Sequence, residues 1–373
     1  MKTALVHDWL IDFRGAERVA EQIVQIPDLR IEKVFTLLYN RSEFSDTPMS
    51  RLPVEESVLT KVPLAKRLYR QYIALLPFAV EQFDLSEYDL VISSSHSVAK
   101  GVVTRSDQLH ISYCHTPMRY VWDLYHLYLR QMNLVRGLKG NFVRLIFHYV
   151  RMWDYIASRR VDYFVANSNY IARRIRKQYG RDAVVIYPPV DTDKFRPQDT
   201  RGEHFVTVSH LVPYKRIDLI VSAFNKMKIP LVVVGDGPDI RKMRAMAGPN
   251  VHVLGRLSDE DVATQMARAR AFVYAAEEDF GIVPVEAQAC GTPVVAFEKG
   301  GVAESVLDGK TGILFPEQSV SSIISAVQRF IRHEDEFDPA LIRANSERFS
   351  VDRFRREFRD FVLQKYEEFK ATW

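Results

Sequence analysis

Glu278 and Glu286 stand eight positions apart in Glu278-Asp279-Phe280-Gly281-Ile282-Val283-Pro284-Val285-Glu286-Ala287-Gln288-Ala289-Cys290-Gly291. The stretch follows an apolar run at 271–275 and reads as a loop leading into a helix, with Pro284 at the first helical position, where a missing N–H is not needed. Gly281 would let the backbone approach a ligand. The N–H groups of residues 281–283, helped by the helix dipole, would receive an anion, most naturally a diphosphate. Carboxylates beside an anion make poor anion ligands, so the two glutamates should instead accept hydrogen bonds from sugar or ribose hydroxyls. A second cluster lies in Ser112-Tyr113-Cys114-His115-Thr116-Pro117-Met118-Arg119-Tyr120-Val121-Trp122-Asp123. There His115 ends an apolar strand, and Arg119, Tyr120 and Trp122 offer a cation and flat faces suited to an acceptor phosphate or sugar ring. Cys114 and His115 are strand neighbours pointing to opposite faces, so they form no dyad.

These groups need a scaffold. Short β-branched runs at 204–209, 230–234, 251–254, 271–275, 293–297 and 312–315 alternate with helical stretches at 216–227, 238–247, 258–269, 284–290, 302–308 and 318–333. Continuously apolar strands in a β-then-α rhythm predict a parallel sheet covered on both faces. The first half repeats the pattern, with strands expected at 3–7, 33–38, 89–93, 109–114, 162–167 and 183–187 and helices at 15–26, 64–83, 142–160 and 168–179. Tyr187-Pro188-Pro189-Val190 reads as a stiff hinge, and 350–369 as an amphipathic helix with Phe354, Phe358, Phe361 and Val362 on one face. The expectation is α/β: two Rossmann-like, doubly wound domains facing a central cleft, with ligands at the carboxyl ends of the strands. The first domain is assigned to 1–187 and the second to 188–349, and 350–373 is expected to return to the first.

The segment from Glu278 to Val295 resembles the E-x7-E signature of the retaining glycosyltransferases of family 4. That resemblance implies a GT-B fold, a sugar-nucleotide donor, transfer with retention, and no obligatory metal or other cofactor. Val208-Ser209-His210-Leu211-Val212-Pro213-Tyr214-Lys215-Arg216 is similar to the family loop that holds the donor diphosphate. Lys215 takes the lysine position, His210 stands where arginine is usual, and Arg216 replaces a common glycine. The resemblance further implies that Arg256 and Leu257 border the base, and that Glu278, Phe280, Gly281, Ile282, Val283 and Glu286 line the donor. His115 would contact the donor sugar, and Gly15, in Phe13-Arg14-Gly15-Ala16-Glu17-Arg18, would meet the phosphates. Asp8 and Trp9, with Arg119 and Tyr120, are expected on the acceptor side. The segments SSSHSVAKGV and CHTPMRYVWD are similar to bacterial mannosyltransferases of O-antigen or exopolysaccharide synthesis. They point to GDP-mannose, with UDP-sugars as the alternative, and to a glycan or lipid-linked acceptor. Gly300-Gly301 and 308–312 are read as turns outside the site.

Composition narrows the remainder. With 47% apolar and 26% charged residues among 373, the chain is globular and of two-domain length. Two cysteines make no disulfide framework, and the N-terminus lacks a signal-peptide pattern, so a reducing cytoplasm is expected. Ten of the sixteen glycines fall between Gly235 and Gly312. Charge is uneven: residues 101–200 carry 16 Lys/Arg against 8 Asp/Glu, and residues 251–350 carry 9 against 16. Basic stretches interleaved with aromatics, around Arg130–Arg160 and Lys61–Arg70, suit the inner face of an anionic plasma membrane, or else helices that simply pack on the sheet. No motif supports nucleic acid. Asp191-Thr192-Asp193 follows the hinge and is read as structural, so no metal site is expected. A nucleotide-sugar epimerase and a non-catalytic sugar-nucleotide or glycan binder are the rival functions.

Overall fold

A computed structural model describes residues 1–198 and 201–372. The chain divides into two compact units, Met1–Tyr187 with Phe354–Trp373, and Pro188–Arg353. The division thus falls inside the last helix, a few residues beyond the boundary expected at 350, and residue 373 lies outside the described residues.

The first unit runs β1 (Thr3–His7), α1 (Gly15–Val24), β2 (Ile31–Thr36), β3 (Val54–Glu56), α2 (Ala65–Leu68), α3 (Leu76–Val80), β4 (Leu90–Ser95), β5 (Leu109–Cys114), α4 (Tyr125–Gln131), α5 (Leu138–Ala157), β6 (Tyr163–Ala166), α6 (Asn169–Tyr179) and β7 (Ala183–Val185). Its seven strands are parallel in the order β3-β2-β1-β4-β5-β6-β7. Strand alternation divides the apolar residues between two cores. Ala4, Val6 and Val91 enter one, and Leu5, Leu90 and Ile92 the other, which is why the strands read as unbroken apolar runs.

The second unit contains β8 (Phe205–Val208), α7 (Ile217–Met227), β9 (Leu231–Val234), α8 (Ile240–Met246), β10 (Val251–Gly255), α9 (Asp259–Arg268), β11 (Phe272–Tyr274), α10 (Ile282–Ala289), β12 (Val294–Phe297), α11 (Val302–Ser305), β13 (Gly312–Phe315), α12 (Val320–Arg332) and α13 (Pro339–Ser346). Six parallel strands follow the order β10-β9-β8-β11-β12-β13. Helix α14 (Val351–Lys370) buries Phe354, Phe358 and Val362 in the core of the first unit, against Tyr113. Each such side chain contributes about 1.5–3 kcal/mol.

Three local expectations are corrected, and one helix is added. The single helix over 64–83 is two short helices joined by a tight turn, because Leu64 sits at φ +53° and Pro77 cannot continue a helix begun before it. Helix α5 starts at Leu138 rather than 142, after Gly137 at φ +88°. Pro284 is the third residue of α10, not the first; its missing N–H is still one of the helix's unpaired donors, so nothing is lost. Helix α13 was legible but unread: Asp338 accepts from the Ala340 N–H and Pro339 opens the helix.

Candidate active site

In both sheets the strand order reverses once, between β1 and β4 and between β8 and β11. Loops leaving neighbouring strands diverge at such a point and open a crevice at the carboxyl ends. The expected site residues gather at these two places.

In the second unit, Lys215 leaves the β8 loop and Glu278 the β11 loop, and the ammonium pairs with the Glu278 carboxylate across the reversal point. The Tyr274 hydroxyl, at the end of β11, donates to the other carboxylate oxygen. Sequence reasoning missed Tyr274; its signal was a phenol ending an apolar strand four residues before the glutamate. Arg216 holds φ +56° as it opens α7, with its guanidinium against Asp218. A non-glycine residue in the left-handed region marks local strain, and explains why glycine would sit there more easily.

Gly281 caps α10 at φ +85°, and Ile282 and Val283 form its first turn. Glu286, on the same helix, is buried, and burial, with the Glu286 charge adding to it, pushes the Cys290 thiol up to about 12. The Phe280 ring turns inward against Phe349, at 5.3 Å between centroids. Gly300 and Gly301, read as mere turns, brace the glutamate loop. A Cβ on Gly300 would lie 2.2 Å from the Glu278 carbonyl oxygen, and the Gly301 N–H donates to that oxygen at 2.9 Å. Gly235 acts likewise on the β8 loop, where a Cβ would meet the Ser209 carbonyl at 1.8 Å. Arg256 and Leu257 follow β10, the former exposed and the latter packed on the core, and His210 is exposed on the β8 loop.

In the first unit, Asp8 is wholly buried and accepts from the N–H groups of His96, Ser97, Val98 and Ala99 at 2.6–2.8 Å. Burial pushes its carboxyl up, but the His96 and His7 rings and these N–H donors outweigh burial and hold it below the usual value. Asp8 was expected to face an acceptor. Four backbone donors occupy its lone pairs, and its work is to fasten the loop after β4 to the end of β1. Trp9 is half-buried between Tyr69 and His96, and the Tyr120 hydroxyl bonds Ser97 Oγ at 2.5 Å. The Trp122 indole donates to Asp154 at 2.7 Å, so it serves the interior. Arg119 is half-buried, and Gly15 opens α1 above the buried Glu17.

His115 is buried, and burial with the neighbouring His96 and His7 rings holds its pKa well below the ordinary value, leaving a neutral imidazole at pH 7. Its Nε2 lies 2.8 Å from Ser94 Oγ, which lies 3.1 Å from His7 Nδ1, while His7 Nε2 lies 3.4 Å from Glu17 Oε1. Burial raises the Glu17 pKa, but His7 more than offsets this and keeps it lowered. A carboxylate only accepts, so the His7 proton sits on Nε2, and for a neutral ring Ser94 donates to Nδ1. The hydroxyl oxygen then accepts from His115 Nε2–H, which leaves His115 Nδ1 as an acceptor. Sequence reading missed His7, Ser94 and Glu17 as a set, because only strand pairing brings them together.

Among the described residues, no group of three or more His, Cys, Asp or Glu is arranged to hold a metal ion. Asp191 accepts from the Lys194 N–H and Asp193 faces Arg196.

Two Rossmann-like parallel-sheet units in one chain are the architecture of the GT-B class. The Glycosyltransferase Family 4 family matches residues 32–194, and Glycosyl transferases group 1 matches residues 191–348. The two matches adjoin, so the chain carries one region similar to each of these two glycosyltransferase families. It is 34% identical over 192 residues to a GDP-mannose-dependent alpha-(1-6)-phosphatidylinositol monomannoside mannosyltransferase of Mycolicibacterium smegmatis, covering 43% of this chain and 50% of the relative. It is 32% identical over 202 residues to a D-inositol 3-phosphate glycosyltransferase of Mycobacterium bovis, covering 46% and 41%. The chain thus spans about half the length of the curated relatives it matches. HepE of Anabaena, solved with UDP and glucose, shares the fold at a TM-score of 0.69 and 19% identity, over 96% of this chain and 98% of that one. Sucrose-phosphate synthase of Thermosynechococcus elongatus does so at 0.74 and 17%, over 99% and 100%.

Proposed function

We propose that the chain is a retaining, metal-independent hexosyltransferase that moves mannose from GDP-mannose onto a glycan or lipid-linked acceptor at the cytoplasmic face of the membrane, in cell-surface polysaccharide synthesis. The observation that carries the reading is the Lys215–Glu278 pair at the reversal point, with Tyr274 behind it and the Gly281-capped helix alongside. A diphosphate entering there competes for Lys215, and the released carboxylate accepts donor-sugar hydroxyls. Glu286 holds the ribose and the base lies by Arg256 and Leu257; in the first unit, His115 presents Nδ1 as an acceptor for a hydroxyl.

The acceptor oxygen attacks the anomeric carbon on the face that the diphosphate leaves. The bond to the phosphate oxygen breaks, and the acceptor proton passes to that oxygen. Lys215 and the N–H groups of 281–283 stabilise the charge that develops on the leaving group, which is where fixed dipoles contribute most. The mannose assignment draws support from the mycobacterial relative named for GDP-mannose; HepE, solved with UDP and glucose, favours UDP-glucose as the second reading.

The deciding experiment incubates the purified chain with a panel of sugar nucleotides, with and without lipid-linked acceptors, and follows free nucleoside diphosphate and new sugar nucleotides. Acceptor-dependent GDP release is the expected result. Interconversion of sugar nucleotides without acceptor would select an epimerase, and binding without turnover a non-catalytic protein.

A further inference from the structure

Helix α5 has two apolar faces. Phe147, Val150, Trp153 and Ala157 enter the core of the first unit. On a flanking face Leu138, Phe142, Leu145, Tyr149, Met152 and Ile156 recur at steps of four and three, in one line along the helix, and all are exposed. Leu138 is 89% exposed, and Phe142 and Leu145 are 64% exposed. A helix that merely packs on a sheet turns a polar face outward, and a continuous apolar stripe in water marks an interaction surface.

The charge beside the stripe has one sign. From 124 to 160 the chain carries seven basic residues and one acid, Asp154. That acid is fully buried and paired with Lys100 at 2.5 Å, so it offers nothing to the outside. Residues 57–80 repeat the pattern, with four basic residues and no acid, and expose Leu64, Leu75 and Phe78. Glu81, which caps α3, accepts from the Trp153 indole at 2.8 Å and from Arg160 at 2.6 Å, and so fastens the two segments side by side.

We propose that the outer face of α5 is a docking surface for an anionic lipid bilayer. On this reading the helix lies in the headgroup plane, its apolar line enters the acyl boundary, and Arg136, Lys139 and Arg159 meet lipid phosphates. Charge complementarity selects this occupant: a second copy of the chain would set one basic rim against another, whereas an anionic surface neutralises both segments. Among the described residues, no helix is long and apolar enough to cross a membrane, so the contact is one of surface insertion. The inference builds on the proposed membrane-bound acceptor but is read without donor or acceptor, so its failure is distinct from failure of the transferase assay.

The test floats the full chain with vesicles of phosphatidylcholine alone, or with one third phosphatidylglycerol, at low and high salt. Binding to anionic vesicles should exceed binding to neutral ones about tenfold and weaken with salt. The triple variant Leu138→Ser, Phe142→Ser, Leu145→Ser, altered only at exposed positions, should lose at least about tenfold in partitioning while keeping its circular dichroism. Arg136→Gln with Lys139→Gln should lose less and flatten the salt dependence. No flotation of the wild type, or unchanged flotation of a folded triple variant, overturns the proposal. A wild-type dimer that the triple variant converts to monomers, with no vesicle binding by either, overturns it in favour of self-association.

Discussion

The two sheets reverse their strand order in the same way, yet they close the reversal point by opposite means. In the first unit the carboxylate of Asp8 is wholly buried and spends its lone pairs on four backbone N–H groups. In the second, the carboxylate of Glu278 faces an ammonium and a phenol, both on side chains, and is half-buried. Backbone donors cannot leave without unfolding the loop, whereas a lysine can exchange one anion for another. The same topology thus yields a structural rivet in one unit and a displaceable pair in the other, and only the latter can serve a ligand.

The widest separation between them should come from Asp8→Ala. It strips four buried N–H groups of their acceptor and should cost about 3–5 kcal/mol, as for a broken buried charge. Hydrogen exchange at residues 96–99 should rise with it; unchanged exchange there would show that the loop does not depend on the carboxylate. Lys215→Ala should instead lower turnover about a hundred- to a thousandfold, the usual loss for one leaving-group stabiliser. Its stability should shift by no more than about 1–2 kcal/mol, since Glu278 keeps Tyr274 and some water. Near-normal turnover in a folded Lys215→Ala protein would erase the contrast.

Acid should sharpen the comparison next. Burial lowers the His110 pKa from 6.5 to about 4, and His96 and His115 shift the same way. The unfolded chain therefore binds protons that the folded unit refuses, and stability falls as pH drops from about 6.5 towards 4, by about 3 kcal/mol for His110 alone. In the second unit His204 is shifted in the same direction but is only partly buried. Exchange measured at both pH values should loosen the first unit more; equal loosening would refute the assignment. The smallest effect is reserved for Glu17→Gln, which frees the His7 tautomer and should slow turnover about tenfold with little change in donor affinity. A pH profile superimposable on wild type would remove Glu17, His7 and Ser94 from the chemistry.

Much of this was legible beforehand. The strand runs located every strand but β3, a three-residue edge strand too short to show a pattern. The E-x7-E segment placed Glu278 and Glu286 correctly on loop and helix, because glycine and helix-start signals are local. Asp8 misled because an acid at a strand end looks the same whether its partners are water or four N–H groups ninety residues away. The burial of the Phe280 ring was not legible for a similar reason: its neighbour Phe349 is distant in sequence. For α5 a membrane-facing helix and a helix packed on the sheet were the alternatives; the helix packs on the core and also exposes an apolar line.

By itself, the sequence determined the α/β class, the glycine-rich character of the second unit and the uneven charge. These follow from short-range periodicity and composition, which a chain carries without folding. Tertiary structure alone decided which carboxylate is spent and which is available, which tautomer His115 holds, and which face of α5 meets water. Each of those depends on partners that only parallel strand pairing brings within hydrogen-bond reach.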